Sequence, residues 1–64
     1  MILTMLHEKL RELRKLNKLT ISEVAGFLGI SPSIYSRYER GSEEPTPDEI
    51  AKLEKYYERD LSST

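Results

Sequence analysis

The sequence of 64 residues contains no cysteine, no tryptophan and a single histidine, His7. Without cysteine, neither disulfides nor a thiolate metal site can form, and one histidine does not supply the three or four ligands of a zinc site. No apolar run approaches the roughly 18 residues of a membrane span. The opening Met1-Ile2-Leu3 is too short for a signal peptide. We therefore expect a soluble cytoplasmic protein with no metal, cofactor or membrane partner.

Small size also limits what the chain can do. At 7.4 kDa and 38% hydrophobic residues, it can build one domain around a thin core. A domain of this size buries about 60% of its unfolded surface and has little volume for a substrate pocket. The hydroxyls of Ser31, Ser33 and Ser36 have no base beside them in a plausible cleft. The sequence predicts a single domain over residues 1–64 that is not an enzyme.

The net charge of −1 conceals an uneven distribution. Residues 1–41 carry seven basic and four acidic side chains, a net charge of +3. Residues 42–64 carry three basic and seven acidic side chains, a net charge of −4. A bipolar domain can bind a polyanion at its basic end, so the total charge does not exclude nucleic acid as a partner.

Capping signals predict two helices in the middle of the chain, over about residues 20–40. Thr20-Ile21-Ser22-Glu23 is a capping box that begins one helix, and Gly29 is the usual kind of residue to end it. Ser31-Pro32 supplies an N-cap and a proline at the first helical position for the next helix, which stops at Gly41. Two short helices joined by a tight turn fit the helix-turn-helix motif.

Helical periodicity predicts a further helix on each side of this motif. Leucines recur at steps of three and four over about residues 4–17, and a similar apolar stripe runs over about residues 47–60. Thr46 and Pro47 give the second of these helices a start signal. Since no segment alternates as a strand would, the predicted fold class is all-α. It is a compact bundle of four short helices, or five if the tail after Arg59 adds one.

The third helix is predicted to have a short, hydroxylic and cationic face. At about 100° per residue, Ser33, Arg37 and Arg40 fall opposite the core side, which includes Glu39. A helix that enters the major groove needs small residues at its N-terminal end and a long hydrogen-bonding side chain one turn later. The two arginines would also fit a plain solvated surface, so the layout alone leaves both interpretations open.

Three groups of residues share their order and spacing with a known family. They are Leu13-Arg14 in the first helix, Leu19-Thr20 and Glu23-Val24-Ala25 in the second, and Gly29-Ile30-Ser31-Pro32-Ser33, Ser36-Arg37 and Glu39-Arg40-Gly41 in the third. From Leu6 to Tyr57 this pattern resembles the Cro/repressor-like, or xenobiotic-response-element-type, helix-turn-helix family. The resemblance implies a lambda-repressor-like fold. It also implies a small transcriptional regulator, a repressor, that binds double-stranded DNA as a homodimer on a near-palindromic operator.

The resemblance further implies which residues would contact DNA, with the helix over residues 32–40 in the major groove. The expected base-edge contacts are Pro32, Ser33, Ile34 and Arg37. The expected phosphate contacts are Thr20, Ser31, Ser36 and Arg40. In relatives an arginine on the first helix pairs with a glutamate of the third, which corresponds to Arg14 and Glu39. The helical wheel places both near the core, so we predict a largely buried ion pair.

One residue and one short segment depart from the family pattern. Ile21 stands where relatives often carry a glutamine that reaches a phosphate. Ser42-Glu43-Glu44 stands where relatives often carry lysine or arginine beside the DNA backbone. Each lost phosphate contact reduces the slope of log K against log salt by about 0.9. We therefore expect weak binding by one protomer and a need for two half-sites.

Apolar residues beyond what four short helices can cover predict a candidate dimer surface. Leu16 and Tyr56 lie off the core stripes of their helices, and Ile2, Met5 and Leu61 add to them. Scattered exposed apolar residues are also normal in monomers, so a homodimer and a monomer both stay open. A second function stays open as well. The acidic stretch from Glu43 to Glu58 would suit a basic protein partner, such as the toxin of a toxin–antitoxin pair.

Overall fold

The computed structural model describes residues 5–61 of the chain. Over that range the protein consists of four helices and contains no strand: α1 (Leu6–Leu16), α2 (Ile21–Leu28), α3 (Pro32–Arg40) and α4 (Pro47–Tyr57). The all-α prediction is therefore confirmed for these residues, and no fifth helix follows α4 before residue 61. None of the four helices is long and apolar enough to cross a membrane.

Three of the helices begin at a Ser or Thr cap. The hydroxyls of Thr20 and Thr46 accept hydrogen bonds from the backbone N–H groups three residues later, at 3.1 and 3.2 Å. Glu23 and Glu49 complete both capping boxes by accepting from the cap N–H groups, at 2.8 and 2.9 Å. Ser31 caps α3 through its hydroxyl alone. These bonds satisfy N–H groups that a helix leaves unpaired at its start.

Each helix is followed by a residue with left-handed backbone geometry. Gly29 and Gly41 have φ values of 74° and 80°, while Lys18 and Glu58 adopt 57° and 54° without being glycine. The N–H of the next residue in turn bonds a carbonyl five positions back, at 3.0 to 3.1 Å, which is the Schellman arrangement. Because Glu58 reverses the chain, α4 ends at Tyr57, earlier than the predicted limit near residue 60.

The core forms around α3, which packs against both α1 and α2. The largest fully buried side chains of the core are Tyr35, Leu10, Leu53 and Val24. The small residue Ala25 is also completely buried, which lets the helices of the central motif approach closely. The polar face of α3 is therefore held outward by the packing of its opposite face.

Leu61 corrects one sequence-based expectation. We expected it on an exposed dimer surface, but it is only 6% exposed and belongs to the core. After α4 ends, the chain folds back, and the N–H of Leu61 donates a hydrogen bond of 2.8 Å to the Glu54 carboxylate. This hydrogen bond holds the residue beside the end of α4, and its side chain packs into the same core as Leu53 and Tyr57.

Candidate nucleic-acid interface

Along α3, a polar strip faces solvent. Ser33, Arg37 and Arg40 are exposed, while Tyr35 and Tyr38 on the opposite side are buried. Residues three and four positions apart share a helix face, so these three side chains are neighbours. The strip offers one hydroxyl and two guanidinium groups, which are donors suited to base edges and phosphates. Arg40 makes no ion pair with any residue in the range 5–61.

The other residues expected along α3 differ in exposure. Pro32 is exposed in the first turn, next to Ser33. Ile34 is half-buried and packs against the core, and Ser36 is half-buried as well. Only part of the Ile34 side chain is therefore available to touch a thymine methyl, and its role as a base contact stays a prediction.

Thr20 and Ser31 lie at the N-termini of α2 and α3. Each hydroxyl oxygen already accepts a capping bond, at 3.1 and 3.2 Å, but a hydroxyl can also donate its own hydrogen. The backbone N–H of Thr20 is engaged by the Glu23 carboxylate. The group that Thr20 can offer a phosphate is therefore its hydroxyl, beside an unfavourable negative charge.

A nearly buried ion pair sets the position of α3 against α1. Arg14 donates from Nε and Nη2 to the two carboxylate oxygens of Glu39, at 2.7 and 3.0 Å, and the side chains are 14% and 5% exposed. Its Nη1 donates to the carbonyl of Leu19, just before α2. Hydrogen bonding to Glu39 raises the pKa of Arg14 above its ordinary value. Arg11 adds a bond to the Glu39 carbonyl at 3.2 Å.

Tyrosines attach the buried side of α3 to its surroundings. The Tyr38 hydroxyl donates to the Glu49 carboxylate at 2.8 Å, which joins α3 to α4. Burial, with this hydrogen bond, raises the pKa of Tyr38 to about 12. Burial also raises the pKa of Tyr35 above its usual range, and the charge of Glu39 adds to the effect. The hydroxyls of Tyr35 and Tyr57 are buried without a hydrogen-bond partner among the described residues.

His7 belongs to α1, and its side chain packs against the end of α3. Its ring packs against Gly41 so closely that a Cβ atom on that glycine would lie 2.9 Å from Nδ1. Gly41 is therefore required both for its left-handed backbone and for the space that the imidazole fills. No group of three or more His, Cys, Asp or Glu side chains within residues 5–61 is arranged to hold a metal ion.

Glu43 joins the site in a way that sequence reasoning missed. Its carboxylate accepts a hydrogen bond of 3.0 Å from Nη1 of Arg37, and both side chains are about half exposed. The carbonyl of Arg37 also accepts from the N–H groups of Ser42 and Glu43, at 3.1 and 3.4 Å. The sequence does contain a signal for this contact: the turn after Gly41 sends the chain back over the last turn of α3. An acidic residue two positions beyond that glycine therefore returns towards Arg37.

The proposed dimer residues within the described range fall into two groups. Met5, Leu16 and Tyr56 are exposed, at 58%, 67% and 39%, whereas Leu61 is buried as described above. Ile2 lies outside the described residues. Sequence reasoning did not include Phe27, which is also exposed and stacks on Tyr56 with ring centroids 4.2 Å apart. This stack joins α2 to α4 and forms a small aromatic surface.

Comparisons with known proteins agree with this geometry. The profile of the helix-turn-helix family matches residues 10–63. The chain is similar to the uncharacterized HTH-type transcriptional regulator YobD of Bacillus subtilis (strain 168), with 39% identity over 51 residues, covering 80% of this chain and 46% of the relative. It is also similar to the cryptic phage CTXphi transcriptional repressor RstR of Vibrio cholerae, with 36% identity over 53 residues, covering 83% and 48%. The chain spans about half the length of the curated relatives it matches.

Proposed function

This chain belongs to the helix-turn-helix family, and on that premise we propose that it is a sequence-specific DNA-binding regulator of transcription, acting as a repressor. The observation that carries the proposal is the exposed strip of Ser33, Arg37 and Arg40 on α3. The opposite face of that helix is fixed by buried tyrosines and by the bond from Arg14 to Glu39. The names of the two relatives, a transcriptional regulator and a transcriptional repressor, support the class. The proposed activity is binding, without catalysis.

In this proposal α3 lies in the major groove with its N-terminal end closest to the bases. Pro32 and Ser33 are small enough to let the backbone approach the base edges. Arg37, one turn later, donates two hydrogen bonds to O6 and N7 of a guanine. The exposed part of Ile34 contacts a thymine methyl.

Phosphate contacts hold the helix in register. Arg40 supplies the charged contact, and the hydroxyls of Thr20, Ser31 and Ser36 donate to phosphate oxygens. These contacts carry little sequence information but fix the orientation of α3 on the duplex. Since Glu23 lies beside Thr20 and Glu43 lies beside Arg37, two negative charges reduce the attraction of the site to the DNA backbone. Affinity therefore depends on base contacts and on a second half-site.

The second half-site would be read by a second copy. A homodimer places two α3 helices in successive major grooves, about one helical turn apart, on a near-palindromic operator. Met5, Leu16 and Tyr56, together with Phe27, supply the exposed apolar surface for this contact.

Selection from a random duplex library tests the proposal. We expect enrichment of a twofold-symmetric site, followed in anisotropy titrations by affinity that falls steeply between two salt concentrations. Uniform weak binding without enrichment would contradict the proposal. It would favour the second candidate, a protein-interaction module such as an antitoxin component, whose exposed acidic side chains on and around α4, including Asp48 and Glu58, would face a basic partner.

A further inference from the structure

The Arg37 side chain makes a hydrogen bond through only one of its guanidinium nitrogens within residues 5–61. Its Nη1 donates to Glu43, while Nε and Nη2 have no partner within residues 5–61. A guanidinium carries five N–H donors in a planar fork, and two of them on one edge suffice for a bidentate contact. The pair therefore leaves a complete bidentate edge of Arg37 directed away from Glu43.

The same chain shows what such an edge can do. Arg14 uses Nε and Nη2 to bind both oxygens of Glu39, while its Nη1 bonds the carbonyl of Leu19. The Nη1 group of Arg14 thus fixes the side chain, and the opposite edge of the guanidinium makes two parallel hydrogen bonds to one ligand group. Arg37 has the first half of this arrangement and an open position for the second. Guanine O6 and N7 are two acceptors spaced for that edge.

We propose that Glu43 is a specificity-determining residue that positions Arg37 for a guanine. This inference rests on the proposed DNA-binding function and adds a residue to it. Glu43 is suited to the task because the turn that carries it is bonded to the backbone of Arg37 itself, through the N–H groups of Ser42 and Glu43. The backbone of Glu43 therefore moves with α3, which keeps the carboxylate within reach of Arg37.

Two consequences favour discrimination between sequences. A side chain already held in one orientation loses less freedom when it binds, which strengthens the guanine contact. The carboxylate also offsets the charge of Arg37, which weakens its attraction to phosphates of any sequence. Both effects raise the ratio of specific to non-specific binding. Because the pair is half exposed, it raises this ratio only about two- to fivefold.

The test compares Glu43→Ala with Glu44→Ala, a matched control that removes the same charge from the adjacent exposed residue. Anisotropy titrations would use the selected operator and a copy in which the base pair read by Arg37 is replaced. We expect Glu43→Ala to reduce discrimination at that base pair about two- to fivefold. Glu44→Ala should change the affinity for both duplexes by the same factor. In an Arg37→Ala background, the difference between the two variants should disappear.

Three outcomes would overturn the proposal. If Glu43→Ala strengthens binding to both duplexes equally, Glu43 only repels DNA or competes for Arg37. If the difference between Glu43→Ala and Glu44→Ala persists without Arg37, the effect does not pass through that arginine. If the chain enriches no duplex at all, the proposed function fails and Glu43 has no guanine contact to position. In the first two cases DNA binding itself remains, so the two failures are distinguishable. Unchanged melting curves would show that both variants fold.

Discussion

Arg14 and Glu39 make two parallel hydrogen bonds, of 2.7 and 3.0 Å, across the contact between α1 and α3. The third donor group of Arg14 reaches the carbonyl of Leu19, where the chain enters α2. One guanidinium thus connects α1, α3 and the segment that leads into α2. Because Glu39 and the exposed strip lie on opposite faces of α3, the pair fixes the direction in which Arg37 and Arg40 point.

Removal of this carboxylate is expected to unfold much of the protein. Glu39→Ala leaves Arg14 buried without its partner, and breaking a buried pair in this way costs about 3–5 kcal/mol. A domain of this size has a total stability of about 3–5 kcal/mol. Urea titration followed by circular dichroism measures the loss. An unfolding curve like that of the wild type would contradict a structural role. The double variant Glu39→Ala/Arg14→Ala should lose less stability than the sum of the losses in the two single variants.

Two glycines form a matched pair. Gly29 and Gly41 both have left-handed backbones, but a Cβ would meet nothing within 4 Å at Gly29, whereas at Gly41 it would lie 2.9 Å from His7. Gly29→Ala should cost about 1–2 kcal/mol through backbone strain alone. Gly41→Ala should cost more, and the excess should vanish in a His7→Ala background. Equal costs in the wild-type background would show that the imidazole gives way freely.

The raised pKa of Tyr57 predicts that the free energy of unfolding falls with pH in alkaline solution. Burial raises its pKa to about 12 in the folded state, against about 10 for an unfolded tyrosine. Between those values the unfolded state binds fewer protons, so the stabilising contribution is complete below about pH 10 and is lost as the pH rises towards 12. Its hydroxyl is also buried without a partner.

Tyr57→Phe should therefore be as stable as the wild type or more stable at pH 7, since it removes an unsatisfied polar group. Its free energy of unfolding should fall less steeply between about pH 10 and 12. Urea titrations at several alkaline pH values measure both effects. A parallel decline in the two proteins would mean that Tyr57 ionises as readily in the fold as in the unfolded chain.

The aromatic surface predicts concentration-dependent association. Tyr56→Glu places a charge beside Phe27, in the surface proposed for the dimer. It should weaken self-association at least tenfold in sedimentation equilibrium, because an unpaired charge would be buried in an apolar contact. Ala51→Glu, at another exposed position of α4, is the control and should leave association unchanged. Equal effects of both substitutions would place the dimer contact elsewhere.

Local signals explain why most of the fold could be predicted. The capping boxes at Thr20 and Thr46 and the proline at position 32 act within one turn, so the sequence displays them directly. The left-handed turn at Glu58 could not be foreseen, because nothing in a glutamate favours that conformation. Leu61 is buried although the chain reverses before it, because its side chain packs into the same core as Leu53 and Tyr57.

The candidate site shows the same division between local and distant contacts. The strip of Ser33, Arg37 and Arg40 follows from helical spacing alone. The stack of Phe27 on Tyr56 joins residues of α2 and α4, and periodicity within one helix does not reveal such a contact. The sequence indicates Glu43 as a lost phosphate contact and as part of an acidic stretch, because its bond to Arg37 depends on the path of the chain after α3.

The central claim is that α3 reads bases through Arg37 and holds phosphates through Arg40, and one set of anisotropy titrations tests it most directly. With the selected operator, Arg37→Ala should cost about 1–3 kcal/mol and relax the preference at one base pair. Arg40→Ala should weaken binding to every sequence alike and lower the salt slope by about one. If Arg37→Ala leaves both the affinity and the base preference unchanged, α3 does not read the groove as described.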